Sequence, residues 1–363
     1  MPKPWITVEP AWRLRNTAGQ ELDPLLFRIL QAINDTGKLT ESAVRVGYSY
    51  RHCWNLIHQW SAFFGVPLVE LSKGKGARLT PLGDKLAWAA ERVQARLGPQ
   101  LENLAVELDR EINLAISDSK PTLRLHASHG YAVALLPELF AQIGTARLEL
   151  QYLGSLDAMA SMARGNCELC GFHLPLNLPC GELMTRVQKF LKPRSHRLVH
   201  LVTRTQGLYL GQGNPAGIQS LADLTRPEVR FVNRQHNSGT RILLDLLLEH
   251  GGIASQHITG YEQVEFTHAA VAAFVASGMA NVGFGVEAAA SRFKLDFLPV
   301  AKEAYMLACR TDTLEQPAMQ QLLGMLRGPE FPAQVSGLAG YSAERAGEVL
   351  RVDALEAMLA GQG

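Results

Sequence analysis

The sequence predicts an α/β protein in which a winged helix-turn-helix and a long linker helix precede a two-lobed domain. Three observations carry that prediction. A helix, a tight turn and a second helix lead into a Lys/Gly-rich hairpin within the first hundred residues; a long apolar stripe follows; and from Pro121 short apolar strands alternate with helices. At 363 residues the chain can bury two or three cores. The expected divisions are residues 1–82 for the winged helix-turn-helix, 83–118 for the linker and dimerisation helix, 119–335 for the two-lobed domain and 336–363 for a C-terminal helical tail.

Charge is unevenly placed. Residues 1–100 hold 13 Lys/Arg against 8 Asp/Glu, a net of +5, while residues 101–363 hold 22 against 26, a net of −4. A basic front on a slightly acidic body suits a chain with one polyanion-facing module. The start, Met1-Pro2-Lys3-Pro4, leads into no apolar stretch of signal-peptide length, and no run reaches a membrane span, so a cytoplasmic chain with reduced thiols is expected. Cys167 and Cys170 have the spacing of half a zinc knuckle or of a redox pair, with Cys180 and His173 nearby; the alternative, small buried thiols on a strand, leaves no metal site.

Trp12 to Arg15 reads as a short strand. Asp23-Pro24 starts a helix that runs to about Asp35, with Leu26, Ile29, Leu30 and Ile33 on one face and Gly37 ending it. Thr40 is expected to cap a short helix, Glu41 to Val46, and Ser49 a longer one, Tyr50 to about Phe64. On that second helix Trp54, Ile57, Ala62 and Phe64 are assigned to the core. Ser49, Tyr50, Arg51, Asn55 and His58 lie near its start or on its exposed side, with Arg51 suited to guanine and Asn55 to adenine or phosphate. Leu68 to Leu71 and Arg78-Leu79 read as a hairpin whose tip places Lys73, Lys75 and Arg78 for phosphate or minor-groove contact; the alternative is an ordinary solvated hairpin. Thr80-Pro81 opens a long helix, Leu82 to Leu97, resumed from Leu101 to Ile112 after a break near Gly98-Pro99. Its stripe of Leu86, Ala89, Ala90, Val93, Leu97, Leu101, Leu104 and Leu108 suggests a homodimer or higher homo-oligomer on a two-fold site in duplex DNA.

In the second half, Leu123 to Ala127 ends in Ser128-His129-Gly130 before a helix from Tyr131 to Phe140, and Leu148 to Leu153 ends in Gly154-Ser155 before another. Glu168 to Phe172 is a third strand, and Leu198 to Thr205 crosses out of this lobe into a Gly-rich turn, Gln206 to Pro215. A strand from Val229 reaches Asn233-Arg234, then Ser238-Gly239-Thr240-Arg241 opens a helix; Thr267-His268 opens a second. Backbone N–H groups at such starts bind anions, and Arg234 or Arg241 strengthens the site. Leu295 to Val300 and Ala304 to Cys309 supply two more strands, the last returning to the first lobe. Each polar residue has a structural alternative: Ser238 and Thr240 as mere caps, His129 and His268 as cap-adjacent residues, Arg241 paired with a surface acid.

On Leu39 to Ala43, Gly47 to Arg51 with Trp54, Gly65 to Val69 and Leu79 to Gly83, the first 90 or so residues resemble the DNA-binding domain of molybdate-responsive ModE-type regulators and, less closely, of LysR-type regulators. On Asn233 to Arg241, Thr267 to Ala272 and Gly283 to Val286, the region from about 120 to 335 resembles a periplasmic-binding-protein-like type II domain of the cytoplasmic kind found beside ModE-like domains. The resemblance implies ligand contacts at Ser128, His129, Ser155, Ser238, Thr240, Arg241, Thr267 and His268. It also implies molybdate, tungstate or a molybdenum-cofactor-related compound as effector, a small organic carboxylate being the LysR-like alternative. No nucleophile elbow, phosphate-binding loop or acidic metal triad is present, so neither catalysis nor a catalytic cofactor is expected. The expectation is a regulator that binds double-stranded DNA and senses a small anion, with a constitutive DNA-binding scaffold as its rival.

Overall fold

The computed structural model describes residues 6–10, 13–72, 76–116, 121–176, 178 and 181–355. The expected strand residue Trp12, the wing tips Lys73 and Lys75, Cys180 and the end of the tail segment lie outside the described residues. The chain divides into two compact units, Glu9–Gly98 and the residues from Pro99 onward with those up to Val8.

The first unit opens with a hairpin, β1 (Leu14–Arg15) and β2 (Glu21–Leu22), followed by α1 (Leu25–Thr36), α2 (Leu39–Val46) and α3 (Tyr50–Phe64). All three helices stop on a left-handed glycine, Gly37, Gly47 and Gly65, a conformation that an L side chain resists. The start of α2 differs from expectation. Lys38, in extended backbone, is its cap residue, and Thr40 lies inside the first turn, because Gly37 has already turned the chain. Ser49 does cap α3, its hydroxyl accepting from His52 N at 3.2 Å. The core gathers Leu26, Ile29, Leu30, Ile33, Ala43, Cys53, Ile57, Trp60 and Leu68.

Here the helical phase corrects a second expectation. Cys53, Ile57 and Trp60 form the buried stripe of α3, while Trp54 is 39% exposed and Ala62 is exposed. Strands β3 (Val69–Ser72) and β4 (Gly76–Leu79) pair antiparallel as the wing. The wing is pinned at its return: Ala77 N donates to Gly37 O at 2.8 Å, and a Cβ at position 76 would sit 2.3 Å from that same oxygen. α4 (Pro81–Ile116) follows, with Pro99 inside it. The expected break does not occur. A proline's fixed φ is helical, so it deletes one hydrogen bond and crowds one carbonyl without ending the helix.

The second unit continues with β5 (Thr122–Ala127), α5 (Tyr131–Ala134), α6 (Leu136–Ala141), β6 (Arg147–Tyr152), α7 (Ser155–Ala163), β7 (Leu169–Pro175), α8 (Gly181–Phe190) and β8 (His196–Leu210). Pro137, at the second position of α6, coincides with the division of the single helix expected from Tyr131. Next come β9 (Phe231–Arg234), α9 (Gly239–His250), β10 (Val264–Glu265), α10 (His268–Ala276), β11 (Val282–Val286), α11 (Glu287–Arg292) and β12 (Asp296–Arg310). The chain then forms α12 (Pro317–Arg327), α13 (Glu330–Ser336), β13 (Tyr341–Ser342) and β14 (Val349–Arg351).

One sheet runs through this unit in the order β10-β9-β11-β8-β12-β7-β5-β6, with β13 and β14 beside β8. Parallel triplets lie at its two ends, β6-β5-β7 and β10-β9-β11, and the antiparallel pair β8 and β12 crosses between them. Each crossing strand is 15 residues long, which overturns two expectations. Gln206 to Leu210 belong to β8 rather than to a turn, and the two late strands are one, β12, with register shifts at Pro299/Ala301 and Tyr305/Met306. Gly207 makes the crossing possible, since a Cβ there would meet Leu298 O at 2.1 Å. The tail adds two short strands to β8 before the segment expected as its final helix, Val352 to Leu359, the second half of which lies outside the described residues.

Four apolar clusters cover the two lobes. Leu123, Leu125, Phe140, Met319 and Phe331 pack on one face of the first triplet, and Met159, Phe172, Leu174 and Met306 on the other. Leu208, Phe231, Leu244 and Phe284 face Tyr209, Val232, Val271 and Val286 across the second. Every residue of β7 is buried, as befits a strand covered on both sides. At roughly 1.5–3 kcal/mol for each large apolar side chain, these layers hold the strand ends, and the groups on them, in place.

Candidate functional site

Both lobes direct strand ends and helix starts toward one polar cluster. From the first lobe come Ser128 and His129 after β5, Ser155 at the start of α7 and His173 on β7. From the second come Arg234 at the end of β9, Ser238, Gly239 and Thr240 at the start of α9, and Thr267 and His268 at the start of α10. The lobes touch. Ser155 Oγ lies 3.0 Å from Ser128 Oγ and 3.4 Å from His173 Nδ1, and a Cβ on Gly239 would sit 2.7 Å from that imidazole nitrogen. Asn237, held at φ 64, presents its carbonyl to Gly154, where a Cβ would be 3.2 Å away.

The caps are used locally. Ser238 Oγ accepts from Arg241 N at 3.2 Å and Thr267 Oγ1 from Ala270 N at 2.9 Å. His268 Nδ1 accepts from Val286 N at 3.4 Å, and Gly285 leaves room for that ring beside Tyr209, since a Cβ would lie 2.2 Å from the Tyr209 hydroxyl. Arg241 is buried but turned elsewhere: its Nε donates to Asp245 at 2.9 Å and its guanidinium lies 4.2 Å over the Tyr261 ring. The structure therefore groups Ser128, His129, Ser155, Arg234, Gly239, Thr240 and His268 and leaves Arg241 outside.

The crossing strands bring residues that sequence reasoning missed. Arg204 and Gln206 on β8 and Glu303 on β12 are at most 1% exposed. Glu303 Oε1 accepts from Arg204 Nε at 2.5 Å and from Gln206 Nε2 at 2.6 Å, and Gln206 Nε2 also donates to Thr240 Oγ1 at 3.1 Å. Tyr305 supports the network, its hydroxyl donating to Ser128 O at 2.7 Å and its ring meeting His173 edge-on. The available signal was a charged residue and an amide two apart in an apolar strand, on the same face by pleat.

Two buried guanidinium groups dominate the electrostatics of the cluster's imidazoles. Burial, with Arg204 close by, depresses Arg234 to about 10; its Nε and Nη2 donate to Gln235 Oε1 and Phe266 O, while Nη1 has no partner and no carboxylate pairs with it among the described residues. Burial works against the charge on Arg204 too, but the adjacent Glu303 more than offsets it. Burial, reinforced by Arg234 and Arg204, lowers His129 to about 3 and puts His173 and His268 well below the ordinary imidazole value. All three are neutral rings near neutral pH, with His129 Nδ1 and His173 Nε2 unpartnered.

That arrangement sets an acid limit. Below 6.5 the unfolded chain protonates these rings and the folded chain does not, so stability falls with pH until the folded pKa is reached. Each ring contributes about 1.4 kcal/mol per pH unit in that window. A His129→Gln variant is expected to lose stability between pH 6.5 and about 5 less steeply than wild type by that amount. Urea melts across the pH series check it, and parallel curves would refute the neutral ring.

At the other module, Tyr50, Arg51, Asn55 and His58 are exposed on α3, Ser49 is its exposed cap, and Arg78 is exposed on the wing. Trp54 joins them, its ring 3.9 Å from that of His58. Arg51, Trp54, Asn55 and His58 follow the spacing of one helical face. Among the described residues no group of three or more His, Cys, Asp or Glu could hold a metal ion, and Cys167 and Cys170 are buried thiols whose pKa burial pushes up. No described helix is long and apolar enough to cross a membrane.

Fold and cleft together define a two-lobed binding-protein-like domain behind a winged helix-turn-helix. Residues 137–327 match the family model of the PBP superfamily domain, more than half of the chain, and the chain belongs to that superfamily. It is 29% identical over 247 residues to the uncharacterized protein YvgK of Bacillus subtilis (strain 168), over 68% of this chain and 79% of that one. Among solved structures it is similar to an OxyR of Corynebacterium glutamicum (15% identity, TM-score 0.45, 87% of this chain and 94% of that one). It is similar also to CbnR, a LysR family transcriptional regulator (16% identity, TM-score 0.40, 84% and 99%). The expectation of a ModE-type regulator is corrected here, together with the molybdate, tungstate and molybdenum-cofactor-related effectors drawn from it: the family matched is the PBP superfamily.

Proposed function

We propose that this chain is a ligand-responsive transcription regulator whose winged helix-turn-helix binds duplex DNA and whose cleft takes up a small anion. The observation that carries the reading is Arg234: a guanidinium 3% exposed, without a carboxylate partner among the described residues, in a cluster of neutral imidazoles and hydroxyls. Burying an unpaired charge costs several kcal/mol, and an anion arriving between the lobes offsets that cost. A small organic carboxylate meets this chemistry.

Contacts between the cleft and α4 support a route of response. His129 packs its ring 4.9 Å from that of Tyr152. Tyr152 is gripped by α4: Asn103 Nδ2 donates to its carbonyl at 2.9 Å, its N–H donates to Asn103 Oδ1 at 2.7 Å, and its hydroxyl bonds Glu102. An anion that draws in His129 bears on the residue that fastens α4, the helix joining the two units in sequence. Leu104 and Leu108, one turn apart and exposed on α4, supply an apolar face for a second copy of the chain. Ligand then shifts the population between two forms with different affinity for DNA.

The test begins with DNA fragments selected from the genome by the full chain. Arg51→Ala is expected to weaken binding to the selected fragment by about 1–3 kcal/mol with anion affinity unchanged, and normal DNA affinity would remove Arg51 from the interface. Tyr152→Phe is expected to keep both affinities and to reduce the effect of the anion on DNA binding. The reading fails if no fragment is selected, or if no anion alters binding.

A further inference from the structure

The same buried cluster constrains the guest more narrowly, on the reading that it is an anion site. Besides the two imidazole nitrogens, His129 Nδ1 and His173 Nε2, its unpartnered atoms include two kinds. Arg234 Nη1 and Arg204 Nη2 are donors without acceptors, whereas Glu303 Oε2 and Gln206 Oε1 are acceptors without donors. Arg204 and Glu303 are 1% and 0% exposed, and Gln206 is 0% exposed.

These acceptors belong to the cleft. Gln206 is tied to Thr240 in the first turn of α9, and the Arg204 guanidinium lies 3.2 Å from where a Cβ on Gly130 would stand, next to His129. The amide of Gln206 cannot turn to relieve the shortage, because its Nε2 is already held by Glu303 Oε1 and Thr240 Oγ1. A guest made only of acceptor oxygens would meet Arg234 and leave Glu303 facing it with like charge. Leaving a buried acceptor unsatisfied costs about 1–3 kcal/mol, and more for a charged one.

We infer that the cleft selects an anion bearing its own N–H or O–H donor, with Arg234 taking the anionic oxygens and Glu303 and Gln206 accepting the donor. Glu303 is thereby a specificity-determining residue: it sets which anions are refused. Hydroxy-substituted carboxylates and protonated oxyanions both carry this chemistry.

The experiment is calorimetric titration of the full chain with matched pairs at neutral pH: glycolate against acetate and methoxyacetate, and phosphate against sulfate. The donor-bearing member of at least one pair is expected to bind about tenfold to a hundredfold more tightly, the worth of one hydrogen bond to a charged group. Which pair discriminates tells a carboxylate guest from a protonated oxyanion. Glu303→Gln turns an amide N–H toward the guest and is expected to erase or invert the preference. Should that variant not fold, Gln206→Met, which removes one acceptor and keeps both charges of the ion pair, is expected to narrow it. Equal affinity within every pair overturns the inference and leaves the anion site standing. If none of the five binds, both fall.

Discussion

Replacing Arg234 by Met is expected to raise the melting temperature of the unliganded protein while abolishing anion uptake. Opposite signs in the two measurements are what separate a binding residue from a structural one. In the free protein the guanidinium is enclosed and burial depresses it to about 10, with no carboxylate among the described residues paired to it. An apolar chain of similar length removes that penalty. The gain is about 1–4 kcal/mol where buried ions have been so replaced, and the lower end applies here because two hydrogen bonds, to Gln235 and Phe266, are lost as well. For the guest the loss is larger, about 2–5 kcal/mol, since its charge then enters the cleft without a partner. A melting curve and a titration on the same sample decide it; a lower melting temperature would make Arg234 a structural residue.

Arg204 and Glu303 are expected to behave in the contrary way. Arg204→Met leaves a carboxylate 0% exposed with only Gln206 as donor, and a loss of about 3–5 kcal/mol follows. The double replacement, Arg204→Met with Glu303→Leu, is expected to recover most of it, because neither charge then remains in the apolar interior. Chemical denaturation of the two singles and the double closes the cycle, and additive losses would show that the pair is not the unit of stability.

What the sequence made legible follows the range over which each feature is determined. Caps are local: Ser49, Ser238 and Thr267 each accept from the N–H three residues on, as the pattern of a polar residue before an apolar helix implies. Ser155 shares that pattern, yet Gly154 is the cap and the Ser155 hydroxyl reaches to Ser128 and His173. Helical phase was legible for α1 and misjudged for α3, where two tryptophans six residues apart compete for the core and Trp60 wins because Cys53 and Ile57 share its face. The ion pair at the cleft was illegible for a different reason. Arg204 and Glu303 are 99 residues apart, and only the register of β8 against β12 sets them opposite one another. Gln206 opens a Gly-rich stretch with the composition of a turn, which hides the second half of the strand that carries both β8 side chains. Arg241, conspicuous in sequence at a helix start, points to Asp245 instead, one turn further along the same helix.

On the proposed reading a small anion offsets the charge of Arg234 between the lobes. Native mass spectrometry of the full chain, purified without added ligand from the cell that encodes it, tests that directly. An extra mass of one small acidic molecule per chain is expected on the wild type, and none on Arg234→Met. A bare wild-type chain that takes up no anion on titration, or the same adduct on both proteins, would contradict it.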